Sequence, residues 1–93
     1  MQLTVKINPD IENTIALWPN EAIVYHPYRG DTNHLNNIAA QMIVLLSKGK
    51  LQINELTNSL HQSNKNTLSL EYTEQLVDSY LSELIECEIV IKC

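Results

Sequence analysis

A chain of 93 residues makes one domain, and a domain of that size has only a small core to hold it. An apolar share of 44% excludes a disordered chain, and one Trp, four Tyr and no Phe leave the core to Leu, Ile and Val. The net charge of -5, with Lys6, Arg29, Lys48, Lys50, Lys65 and Lys92 scattered, argues against a nucleic-acid surface, because phosphate binding rests on clustered cations.

The chain begins with an alternation of apolar and polar residues over 3–7, which predicts a short strand, and Pro9-Asp10 breaks it. Residues 14–18 and 21–26 are β-rich and flank Pro19-Asn20, so a hairpin is expected over 14–26. After the turn at 27–31, a third short strand spans 32–35. Asn36 or Asn37 is placed to cap a helix over 37–48, whose apolar residues run from Ile38 to Leu46, and Gly49 is expected to end it in the left-handed conformation. Ile53, Leu56 and Leu60 mark a second helix over 53–61, and the polar residues 62–69 read as a mobile loop.

The longest helix is expected over 70–86. Ser69 is its cap, Glu71 and Glu74 suit the dipole of its first turns, and Leu76, Val77, Tyr80, Leu81, Leu84 and Ile85 form its apolar face. Residues 88–92 read as a terminal strand. The fold class is therefore α+β and winged-helix-like: a three-stranded antiparallel sheet packed on three helices, in one domain over 1–93. Whether the terminal strands at 3–7 and 88–92 join that sheet is open at this point.

Motifs for catalysis are lacking. There is no Gly-rich phosphate loop, no nucleophile elbow and no metalloprotease signature. His26 and His34 flank a turn that holds Asp31, but they read as surface strand histidines rather than as ligands or an acid–base pair. Cys87 ends an acidic helix, where the dipole disfavours a thiolate, so it reads as a small packing residue. Two cysteines are too few for a disulfide framework, and Cys87 and Cys93 are expected as free thiols. No stretch reaches the roughly 20 apolar residues of a membrane span, and residues 1–10 lack the pattern of a secretory signal. A cytoplasmic protein that binds no membrane is the expectation.

A winged-helix pattern raises DNA binding as a rival. The third helix argues against it, with Glu71, Glu74, Asp78, Glu83 and Glu86 and no Lys or Arg. One flank of the same helix carries Tyr72, Leu76, Ser79 and Glu83, neither fully apolar nor fully charged, which is also the make-up of an ordinary boundary between a helix's buried and exposed faces. An extended peptide needs such a flank beside a strand edge: the strand supplies backbone hydrogen bonds and the helix supplies side-chain pockets.

The stretches Thr14-Ile-Ala-Leu-Trp18, Ala22-Ile-Val-Tyr25, Gly30-Asp-Thr-Asn-His-Leu-Asn36, Ala39-Ala40 and Ile43-Val-Leu-Leu46 resemble the PqqD family. The later Glu55-Leu56, Leu60, Leu81 and Leu84 also fit, so the resemblance covers residues 12–92. It is nearest to the subgroup associated with HPr-kinase-related proteins (the HPr-rel-A system), and it departs at the Asn/Ser-rich 62–69 and at the Cys-terminated tail.

This resemblance implies a peptide chaperone, or RiPP recognition element, which binds the leader of a ribosomally made precursor peptide and presents it to a modifying enzyme. It implies no catalysis and no cofactor. The leader would add to the third strand, at Thr32, Asn33, His34 and Leu35, and lie against Tyr72, Leu76, Ser79, Tyr80 and Glu83 of the third helix. The alternatives are a protein-interaction module whose edge strand pairs with a second copy in a homodimer, and a degenerate DNA-binding regulator.

Overall fold

The computed structural model describes residues 3–18 and 20–93. In chain order it has β1 (Thr4–Ile7), a 3-10 helix (Pro9–Thr14), β2 (Ile15–Trp18), β3 (Glu21–His26), β4 (Asp31–Leu35) and α1 (Asn37–Leu46). There follow β5 (Leu51–Gln52), α2 (Ile53–Asn64), α3 (Leu70–Glu86) and β6 (Val90–Lys92). The α+β, winged-helix-like arrangement of three helices with a three-stranded antiparallel sheet is the one the periodicities predict.

That sheet is β2-β3-β4. The register sets Ile15 opposite Val24, Ile23 opposite His34 and His26 opposite Asp31. Ala22, Val24 and His26 turn to the interior, as the two-residue period of a strand requires. The terminal strands do not join this sheet. They pair with each other in a second sheet, β5-β1-β6, with Val5 opposite Lys92 on one side and opposite Leu51 on the other.

One core joins both sheets and all three helices. Val5, Ile7 and Val90 come from the terminal sheet and Val24 from the hairpin sheet; Met42, Ile43, Leu56, Leu60, Val77, Leu81 and Leu84 come from the helices. The caps are local. Asn36 Oδ1 accepts the Ala39 N–H at 3.2 Å, Glu55 accepts the Gln52 N–H at 2.9 Å, and Ser69 Oγ accepts the Tyr72 N–H at 3.1 Å.

Several boundaries differ from the expectation, among them the terminal strand, expected over 88–92 and found at Val90–Lys92 because the turn that ends α3 takes up Glu88 and Ile89. The segment after Pro9 is helical rather than a plain break: Asn8 caps it by accepting the Asp10 N–H, and Ile11 is fully buried. Helix α1 stops at Leu46, where Ser47 donates its hydroxyl back to the Val44 carbonyl. Gly49 lies beyond that end with φ 141°, outside the left-handed helical region, so it shapes the turn rather than capping the helix. Helix α2 runs on to Asn64, inside the segment read as a loop. The apolar period ends at Leu60, but Asn64 donates to the Leu60 carbonyl at 2.8 Å and to Gln41 at 2.9 Å.

Candidate functional site

Strand β4 pairs with β3 on one side and, among the described residues, with no strand on the other. Its open edge faces the C-terminal half of α3 across a groove of about 230 Å³. Asn33, His34 and Leu35 form one wall, and Tyr80, Glu83, Leu84 and Cys87 form the other. Asn36 and Ala39, at the start of α1, and Ile89, after α3, complete the lining. The mix of apolar and polar groups suits an extended chain, whose main chain needs partners and whose side chains need somewhere dry to sit.

Asn36 ties this site together. Its carbonyl oxygen caps α1, and its amide donates to the Tyr80 hydroxyl at 2.8 Å. One side chain thus links the start of α1, directly after β4, to the middle of α3, and fixes the Tyr80 ring as a wall.

The end of α3 is held equally firmly. The Ile89 N–H donates to the Leu84 carbonyl and the Glu88 N–H to the Ile85 carbonyl, the two bonds of a Schellman turn. Glu88 occupies the left-handed position at φ 62°. Asn8 donates its side-chain amide to the Glu88 carbonyl at 2.8 Å, and Arg29 donates to the Glu86 carbonyl at 3.3 Å while pairing with Asp31 at 2.9 Å. The β3–β4 turn, where Gly30 takes φ 73°, is therefore anchored to the helix end that lines the groove.

Of the residues singled out in the sequence, Asn33, His34, Leu35, Tyr80 and Glu83 meet in this groove. Thr32 is exposed on β4 opposite Tyr25, away from the lining. Tyr72, Leu76 and Ser79 lie on the Glu83 flank of α3 but nearer its N-terminus, beyond the groove. At 1.5 Å per residue, Tyr72 is about 12 Å along the axis from Tyr80, and β4 has ended at Leu35, directly before the Asn36 that bonds Tyr80. The lining residues not anticipated as site residues are Asn36, Ala39, Leu84, Cys87 and Ile89. Their sequence signals were those of a cap, a helix face and a strand, and nothing local marks them as facing β4.

His26 corrects the reading of surface strand histidines. It is only 3% exposed, and neither ring nitrogen has a hydrogen-bond partner among the described residues. Glu88 Oε2 lies 3.6 Å from its Nε2, and the Tyr28 ring meets it edge-on at 6.1 Å. His34 is exposed and pairs with Glu21 at 2.9 Å. It stands on the Ile23 face of the sheet, opposite to the face of His26, so the two rings do not converge. No group of three or more His, Cys, Asp or Glu side chains with metal-site geometry occurs among the described residues. No helix of the described residues is long and apolar enough to cross a membrane.

No family model matches the chain, and no curated protein matches it in sequence. Among solved structures, that of TbiB1 in complex with the TbiA(beta) leader peptide is similar, with a TM-score of 0.78 over 91% of this chain and 93% of that one. At 19% identity, the likeness is one of fold.

Proposed function

We propose that this chain is a peptide-binding domain that captures the leader of a ribosomally made precursor peptide and presents it to a modifying enzyme, with no catalytic step of its own. The observation that carries this reading is the open edge of β4 facing α3 across a partly apolar groove. The likeness to the fold of TbiB1, itself bound to a leader peptide, supports it, as does the resemblance to the PqqD family and its HPr-kinase-related subgroup. An added strand pairs with β4 through main-chain hydrogen bonds, which ask little of its sequence. Its alternate side chains meet Leu35, Tyr80 and Leu84. A longer peptide runs on past the groove to Ser79, Leu76 and Tyr72, and Thr32 extends the edge at the other end.

DNA binding fits this surface poorly, since the helix that lines the groove carries five acidic residues and no Lys or Arg. Pairing of β4 with the β4 of a second copy would use the same edge. Calorimetric titration with short peptides encoded beside the gene, together with sedimentation of the free protein, separates the two. Saturable binding of one such peptide to a monomer is expected. A stable dimer that binds none of them would put the interaction module in its place.

A further inference from the structure

We infer that the groove selects a peptide with an apolar residue and a Lys or Arg two positions apart, the basic side chain lying against Glu83. This rests on the reading of the groove as a peptide site and names the chemistry of its occupant.

Glu83 is the acidic residue among those that line the groove, and it takes part in no ion pair among the described residues. The nitrogen-bearing side chains near by are committed elsewhere. Arg29 is held by Asp31 and by the Glu86 carbonyl, and His34 is held by Glu21. Of the other acidic residues of α3, Glu86 lies within one turn of Glu83, whereas Glu74 and Asp78 line the side of the helix that faces α2. Beside Glu83, the groove is apolar where Leu35, Ala39, Leu84 and Ile89 line it.

The spacing follows from strand geometry. In a strand added to β4, every second side chain points the same way, and such neighbours stand about 6.6–6.8 Å apart. Along the helix axis Glu83 lies about 1.5 Å from Leu84 and about 6.0 Å from Cys87. One side chain of the peptide can therefore fill the apolar part while the next on the same face reaches Glu83, and the flexible stem of Lys or Arg absorbs the small mismatch. A peptide with Asp or Glu at that position meets an acidic helix and is rejected.

The test is selection of short random peptides displayed against the wild-type protein and, in parallel, against Glu83→Lys and Glu83→Gln. Glu83 is exposed and its side chain makes no hydrogen bond among the described residues, so these variants are expected to fold, which circular dichroism checks. The wild-type pool should be enriched in Lys or Arg two positions from an apolar residue. The Glu83→Lys pool should carry Asp or Glu there instead. A synthetic peptide from the wild-type pool should lose about threefold in affinity on Glu83→Gln and about tenfold on Glu83→Lys, the scale of exposed ion pairs. Added salt should narrow that difference. Pools of the same charge from the wild type and from Glu83→Lys would overturn the inference while leaving peptide binding in place. Failure of the folded wild-type protein to enrich any peptide would overturn both.

Discussion

Glu88 occupies a backbone conformation that glycine normally supplies at the end of a helix. A side chain in the left-handed region costs about 1–2 kcal/mol. Its carboxylate lies 3.6 Å from the buried His26 but is itself 60% exposed, and a contact open to solvent on one side contributes at most about 1 kcal/mol. Strain outweighs the contact, so Glu88→Gly should stabilise the protein by about 0.5 kcal/mol, partly offset by the greater freedom of glycine in the unfolded chain. Urea denaturation measures this, and a destabilised variant would mean that the contact with His26 outweighs the strain. His26 itself is buried and neither nitrogen has a hydrogen-bond partner among the described residues, a state that costs about 1–3 kcal/mol per lost partner. Replacing it with Leu removes that cost, so His26→Leu should be neutral or stabilising despite the change of shape. A loss above about 2 kcal/mol, on the scale of buried-group deletions, would show that the ring has a partner in solution. The burial of His26 was not legible in the sequence, because both faces of its strand are apolar, with Ala22 and Val24 on one and Ile23 and Tyr25 on the other.

At the scale of elements, the edge of β4 carries the site. In an antiparallel ladder, alternate residues turn their N–H groups away from the partner strand, so only one of the neighbours Asn33 and His34 offers its N–H to an added strand. Proline at that position removes one main-chain bond to the peptide and should cost about 1 kcal/mol of binding with little loss of stability. Proline at the other position removes a bond to β3 and should destabilise the fold instead. Titration and denaturation of both variants check the split. Two folded proline variants that bind as tightly as the wild type would exclude strand addition at this edge. The strand, the hairpin and the span of α3 were legible because their apolar periods are strong and their caps are local, as Ser69 and Asn36 show. The groove was legible only in part. Its walls come from residues 33–39 and 80–89, and the sequence does not say how far β4 runs along α3. That is why Tyr72, Leu76 and Ser79, on the anticipated flank, lie beyond the lining, while Cys87 and Ile89 are within it. The two-residue β5 has too few residues to show a period at all.

For the whole molecule, the question is whether the two sheets are one cooperative unit. Strand addition to β4 asks the hairpin to hold its shape while it is pulled on from one side, and the hairpin contributes little core of its own. Val24 is fully buried against helices that also bury Val5 and Val90 of the terminal sheet. Shared helices should therefore couple the sheets, as in small single domains that unfold in one step. Removing two methyl groups from a fully buried valine deletes roughly 1.5 kcal/mol of apolar transfer, and the cavity left behind adds to it, so Val24→Ala and Val90→Ala should each cost about 2 kcal/mol. That is a large part of the roughly 5–10 kcal/mol expected of a domain this small. The single tryptophan, Trp18, is half-exposed at the end of β2 and reports on the hairpin sheet by fluorescence, whereas far-ultraviolet circular dichroism reports mainly on the three helices. For the wild type and both variants, the two signals should follow the same transition in urea, and the two substitutions should shift it by similar amounts. If Trp18 fluorescence changed well before the helical signal, or if Val24→Ala moved that signal alone, the hairpin would be a separate unit. The edge of β4 would then have to be ordered by the peptide itself, at a cost in affinity that a preformed groove avoids.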